Sequence, residues 1–317
     1  MSSFDVGGTL GPVSAPSTRS VALPVDERGA RFGPPEWGLS VAIALVWGSS
    51  FLWIAVAIDH VAVTVVPAAR CAFGVAALAL FPSARRRIAR ADVGRFALVG
   101  LVWMGAPFLL YPLAERTVNT SITGMINGGI PVVTTVVTAW FTRTMPSRLR
   151  VLAVTVGAAG IATISFASMG DEGGADAAGI VMLLVALVCY AVAANLARPL
   201  QAVYGALPTM LWVTIWGTIW STPLGLVGFA SGGMTWAAFG ALFVLGFVGT
   251  GLAFSMYGVL LLRAGPVRGM IGIFFTPIVG VVLGVALRDD DLHPLALVGM
   301  AVVIVGAVLT SRPEPAR

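Results

Sequence analysis

The sequence predicts an all-α polytopic membrane protein of ten transmembrane helices, arranged as two inverted five-helix repeats with both termini cytoplasmic. Three observations carry this reading. The composition is one that only lipid can solvate, the arginines alternate from loop to loop, and special residue types recur at one constant spacing.

Of the 317 residues, 58% are hydrophobic and only 10% are charged, and the mean hydropathy is +0.94. A soluble globular domain carries about 25% charge. The apolar stretches are continuous, without the alternation of a barrel strand, so each is a helix that satisfies its own backbone within the span. Spans need about 20 apolar residues. Taking each run between charges or turn residues as one span gives 37–57, 61–82, 95–114, 119–141 and 148–168, then 178–198, 207–229, 236–260, 265–287 and 293–311. Residues 1–36 read as a flexible cytoplasmic tail, 37–168 as the first repeat, 169–177 as an external linker, 178–311 as the second repeat and 312–317 as a cytoplasmic tail.

The net charge of +5 would suggest nucleic acid in a soluble protein. Here every basic residue is an arginine and most sit in short loops between spans, which is a topology signal. Arg28 and Arg31, then Arg85, Arg86, Arg87, Arg90 and Arg95, then Arg143, Arg148 and Arg150, then Arg198, then Arg263 and Arg268 fall in every second loop. The loops between them hold Asp59, Glu115 with Arg116, Asp171, Glu172 and Asp176, and Arg288 followed by Asp289, Asp290 and Asp291. Alternation of this kind places the protein in a bacterial inner membrane with both ends inside. No partner nucleic acid is implied.

Pro131 and Pro277 stand 146 positions apart, and the same offset pairs Gly100 with Gly246, Gly105 with Gly251, Phe108 with Phe254, Tyr111 with Tyr257, and Gly160 with Gly306. Spans three to five are therefore kin to spans eight to ten. The first two spans of each half do not match at that offset. An odd number of spans per repeat inverts the second copy across the membrane, an architecture of transporters that bind substrate where the repeats meet.

Trp47-Gly48-Ser49-Ser50-Phe51, Pro67 with Arg70, Gly249-Thr250-Gly251-Leu252-Ala253-Phe254, and Arg263-Ala264-Gly265-Pro266-Val267-Arg268 leading to Pro277 resemble the EamA family of the drug/metabolite transporter superfamily. The resemblance spans about residues 37–311. It implies a ten-helix exporter or exchanger of amino acids, other metabolites or drugs, with a central cavity between the repeats and peripheral fifth and tenth helices. The family often places a glutamate after the ninth span; here Asp290 or a neighbour occupies that place, and the equivalent Phe141-Thr142-Arg143-Thr144 holds no acid.

Arg70 is a charge within a span, which costs about 2.5–3.5 kcal/mol on insertion scales and marks function. Backbone carbonyls, water or an anionic substrate group could partner it, and a helix-tying role or snorkelling stays open beside a role at the cavity. Asn127-Gly128-Gly129-Ile130-Pro131 and Phe274-Phe275-Thr276-Pro277 interrupt the fourth and ninth spans. Each proline frees a carbonyl and kinks the chain. Paired breaks in two halves point to a binding site or serve packing alone. Trp47, Ser50, Arg70, Tyr111, Asn127, Tyr257 and Phe274 are the candidate cavity residues, with Glu115 and Asp290 at the mouth or gate. A solvated pair with Arg116 is the alternative for Glu115. Trp212, Trp216 and Trp220 form a stripe that suits either a cavity wall or a packing ridge.

His60, His293, Cys71 and Cys189 show no ligand or nucleophile spacing, and no Gly-rich segment ends in the Lys-Ser/Thr of a phosphate loop. The expectation is a secondary transporter, not an enzyme, with no cofactor and no metal, exporting a small amino-acid-like, anionic or aromatic solute. A homodimer stays open. Integral membrane enzyme, lipid-handling protein and non-transporting sensor are the other classes.

Overall fold

The structure, a computed structural model, describes residues 33–169, 175–269 and 271–310, with the side chains of 265–269 set aside. Most of the expected N-terminal tail, Asp171 and Glu172 of the linker, and the C-terminal tail lie outside the described residues. Among the described residues every regular element is helical. Eight segments are long and apolar enough to cross a membrane: Pro34–Ile58, Arg90–Ala114, Thr120–Thr142, Arg148–Ser168, Ala177–Tyr204, Ala206–Ala230, Trp236–Ala264 and Ile271–Arg288. Two shorter apolar helices, Val65–Ala79 and Pro294–Thr310, accompany them. Large side chains such as Phe166, Val227 and Leu262 point outward, as a lipid solvent requires.

The first span is α1 (Pro34–Gly48) and α2 (Ser50–Ile58). It starts earlier than the expected residue 37, because Pro34 and Pro35 suit a first turn and the Glu36 carboxylate accepts from the Gly33 N–H at 3.0 Å. Next come α3 (Val65–Ala79), shorter than the expected 61–82, and a loop leading to α4 (Val93–Gly100). A π-helical turn, Leu101–Gly105, joins α4 to α5 (Ala106–Ala114). The fourth span is two helices, α6 (Thr120–Asn127), capped by Asn119, and α7 (Ile130–Thr142). The break falls at Gly128 and Gly129, with Pro131 in the first turn of α7, as the sequence predicts. Then follow α8 (Arg148–Ser168), α9 (Ala177–Tyr204) and α10 (Ala206–Ala230).

Arg198 is a correction: it lies inside α9, not in a loop. Pro199 sits near the end of that helix, where losing one N–H bond is tolerated, and Gly205, at φ 90°, makes the turn instead. Beyond it, α11 (Trp236–Phe243), a long π-helical stretch Val244–Leu252 and α12 (Ala253–Gly269) form one extended rod. Arg263 and Arg268 are thus helical rather than in a loop. The ninth span is α13 (Ile271–Phe274) and α14 (Thr276–Arg288), broken at Phe275 beside Pro277, and α15 (Pro294–Thr310) ends the bundle.

Matching contacts recur through the molecule. Among the described residues the non-glycine residues with positive φ are Arg143, at 50° after α7, and Asp289, at 52° after α14, again 146 apart. A side chain on Gly246 would strike Phe73, and one on Gly100 would strike Trp216; Gly251 meets Ala77, and Gly105 meets Trp220. Gly74 meets Thr250, and Gly217 meets Met104. In each case the residue on α10 stands 143 positions after its counterpart on α3, whereas the residues in and beside the π-helical turns keep the 146 spacing.

On α8 and α15, Gly160 lies against Gly299 and Val303, and Gly306 lies against Ala153 and Gly157. The pairs run in opposite directions, so the two helices are antiparallel, and glycines let their backbones approach closely. Gly160→Ala would bring a Cβ within 2.6 Å of the Val303 backbone nitrogen. It is expected to destabilise the protein by about 1–3 kcal/mol, as is Gly306→Ala. Gly240→Ala, with open space around it, gains up to about 1 kcal/mol of helix propensity. Thermal unfolding in detergent should therefore split the three variants by sign.

Candidate functional site

The second span and the glycine-rich rod create the centre of the molecule. Gly246 and Gly251 allow the π-helical stretch to lie directly on α3, and Gly246 abuts the Arg70 carbonyl. π-helical turns inside helices are frequent at functional sites because they rotate the following side chains out of register. Here they bring Thr250 to Arg70. The Arg70 side chain is only 8% exposed. Its Nε donates to Thr250 Oγ1 at 3.3 Å, and its guanidinium lies over the Phe108 ring, 3.9 Å from the centroid. Cation–π contact of this kind is worth about 2 kcal/mol when desolvated. No carboxylate lies within ion-pair distance of Arg70 among the described residues.

Two aromatic groups flank this cation. On one side Tyr111 stacks with Tyr190 of α9 at 6.0 Å and approaches Phe51 at 5.8 Å. The Tyr111 hydroxyl donates to Asn127 Oδ1 at 2.5 Å, which fixes the last residue of α6 at the edge of the break. On the other side Trp47 packs against Phe254 at 5.4 Å and Tyr257 at 5.3 Å, and Trp103 meets Phe254 at 6.1 Å. The Trp47 indole N–H donates to the Gly249 carbonyl at 3.0 Å. Trp47, Asn127, Tyr190 and Tyr257 of these two groups are half-buried and offer polarisable faces with few hydrogen-bonding groups.

Among the residues the sequence singles out, Trp47, Arg70, Tyr111, Asn127 and Tyr257 are joined in this network. Ser50 is not: it is buried, and its hydroxyl donates to the Val46 carbonyl one turn back at 3.2 Å. Phe274 ends α13 without a ring contact to either aromatic group. The tryptophan stripe is a ridge. Trp212 donates to the Arg86 carbonyl and Trp220 to the Ala97 carbonyl, both at 2.9 Å, so the stripe clamps the α3–α4 loop and α4. Phe108, Thr250, Trp103 and Tyr190 belong to the site and were not singled out for it. For Phe108 and Phe254 the 146-residue pairing was a usable signal, whereas nothing marks Tyr190.

Pro277 of the second break rests on the first break, where a Cβ on Gly128 would sit 2.6 Å from its ring. The two interruptions are in contact. Beyond them further contacts tie the first half of the chain to the second. Asp290 accepts from the Ser121 N–H at 2.7 Å, Arg288 holds Asp59 through bonds of 2.6 and 3.3 Å, and Asn119 donates to the Asp291 carbonyl at 3.4 Å.

Glu115, one residue beyond the Arg90–Ala114 segment, corrects the expectation of a solvated pair. Its two carboxylate oxygens are closed off from solvent and have no hydrogen-bond partner, and Arg116 beside it is exposed. Burial, and then the neighbouring Asp290 charge, hold the Glu115 carboxyl well above the usual carboxylate range. The folded protein therefore keeps a proton that the unfolded chain releases. The stabilisation is complete below the unfolded value and is lost as pH rises from there toward the folded value. Thermal stability of the wild type should fall with pH across that window, and Glu115→Gln should flatten that fall.

Fold and site together define a polytopic helical membrane protein with a buried cation held by one hydroxyl and one aromatic ring. Residues 37–166 match the model of the EamA-like transporter family, a domain type of the drug/metabolite transporter superfamily. A solved crystal structure described only as that of a protein is 15% identical, with a TM-score of 0.59 over 86% of this chain and 95% of that one, and shares the fold. No curated protein matches the chain.

Proposed function

We propose that the protein is a secondary transporter that exports a small organic anion with an aromatic or apolar body across a bacterial inner membrane. In this reading two inverted five-span halves, with both termini cytoplasmic, alternate access to a central cavity at Arg70. The observation that carries it is Arg70 itself. A desolvated guanidinium held by one hydroxyl and one ring leaves its two terminal nitrogens as donors for a carboxylate, which guanidinium binds bidentately. Trp47, Tyr111, Tyr190, Phe254 and Tyr257 supply faces for the body of the solute.

Several features support the two-halves reading. The 146-residue spacing recurs in sequence and in the left-handed residues Arg143 and Asp289. The contacts of α3 and α10 repeat at 143, which accounts for the failure of the first spans to match at the longer offset. The antiparallel α8 and α15 pair fits a two-fold axis lying in the membrane plane, and two helix breaks at corresponding places are the recurrent pointer to a transporter's midplane site.

The test is ligand-dependent thermal stability of the detergent-purified protein, using benzoate, indole-3-acetate and aromatic amino acids, with the matching amides as controls. A ligand at 100 times its Kd adds about 2.7 kcal/mol. Carboxylates are expected to stabilise the wild type, their amides to fail, and Arg70→Gln to remove the effect while Arg70→Lys keeps part of it. Equal stabilisation by acids and amides would show that Arg70 does not select the substrate. Saturable flux of the stabilising acid in proteoliposomes completes the assignment.

A further inference from the structure

We propose that the loop between α3 and α4, with the first turn of α4, is a binding site for the headgroup of an anionic phospholipid. Residues 85–95 carry five arginines against one aspartate, a net charge of +4. Arg85, Arg86, Arg87, Arg90 and Arg95 are all exposed. The aspartate is already engaged, because Asp92 accepts from Arg95 at 3.1 Å and from the Tyr204 hydroxyl at 2.7 Å. Among the described residues no carboxylate lies within ion-pair distance of Arg85, Arg86, Arg87 or Arg90. Four guanidiniums are left for an anion from outside the chain.

The loop is held in place by the helices behind it. Ala84 and Phe96 are buried and Ile88 is half-buried in one apolar cluster with Leu200 and Tyr204 of α9, so the chain is anchored between its arginines. The Tyr204 hydroxyl also accepts from the Ala89 N–H at 3.2 Å, and the Trp212 indole donates to the Arg86 carbonyl at 2.9 Å. Arg86 donates to the Val203 carbonyl at 3.3 Å, with its guanidinium 5.8 Å from the centre of the Tyr204 ring. Backbone already ordered by folding loses little further entropy when a ligand arrives.

The surroundings favour a lipid over any other anion. The loop joins two apolar helices, so its charges stand where apolar surface ends. Leu80 just before it, Leu98 three residues beyond Arg95, and Trp220, whose indole donates to the Ala97 carbonyl, are exposed. A phospholipid meets both parts: its phosphate oxygens suit the fork of a guanidinium, and its chains cover the leucines and the indole. Clustered arginines at the end of a span and interfacial tryptophans are the physical marks of such a site. Free phosphate would use the charge and leave the apolar surface bare.

Native mass spectrometry of the full-length protein, released from detergent containing equimolar phosphatidylglycerol and phosphatidylcholine, reads the preference directly. Phosphatidylglycerol adducts are expected to dominate in the wild type. The double variant Arg87→Gln/Arg90→Gln removes two guanidiniums that make no hydrogen bond among the described residues, so it should fold normally. It should lower the preference at least about fivefold. Arg143→Gln/Arg148→Gln takes the same charge from the loop between α7 and α8 and should leave the preference unchanged. Tyr204→Phe keeps every charge but releases Asp92 and the Ala89 N–H; it should weaken phosphatidylglycerol binding and spare phosphatidylcholine. Millimolar inorganic phosphate should not displace the lipid. No preference in the wild type, or an equal fall in both double variants, overturns the headgroup site. Full preference in Tyr204→Phe overturns the part given to loop order, and displacement by phosphate overturns the lipid as its occupant. None of these outcomes bears on Arg70 or on the transported solute.

Discussion

A positive charge enclosed in an apolar bundle is the constraint around which the rest of this molecule is arranged. Hydrocarbon offers Arg70 nothing, so its neighbours must supply what water would. They do so in two ways: a hydroxyl from Thr250 and the face of Phe108. Each depends on backbone that departs from a regular α-helix or on a residue without a side chain. Thr250 reaches Arg70 because the Val244–Leu252 stretch is π-helical and its glycines let it lie on α3. The position equivalent to Arg70 on α10, at the 143-residue spacing, is Val213. The framework is repeated but the charge is not.

This one-sidedness organises the aromatic side chains as well. Tyr111 and Tyr257 are paired by sequence, yet they do different work. Tyr111 is 2% exposed and spends its hydroxyl on Asn127, bracing the first helix break. Tyr257 is half-buried and stacks with Trp47. A carrier that must hold an asymmetric solute gains from such divergence, because one wall can orient while the other accommodates.

How much of this was legible beforehand follows from the range of each interaction. The breaks at Gly128 and Phe275 could be read locally, because a proline one position into a helix leaves its mark within five residues. The extent of α9 could not be read, since Pro199 and Arg198 look like a boundary unless one knows that Gly205 takes the turn. Tyr111, Asn127 and Arg70 were recognisable as polar groups at depth, but their partners lie 16 and 180 positions away. Glu115 was the least legible of all. Its neighbour Arg116 suggested solvent, while the burial that removes its partners is created by chain packed around the end of α5 from far along the sequence.

The meeting of the two breaks has a mechanical meaning. Gly128 leaves no space for even one methyl group against Pro277, so neither interrupted helix can straighten without displacing the other. Bending in one half is transmitted to its counterpart at a point, through a ring resting on bare backbone, and the two halves share a fulcrum rather than a hinge of their own.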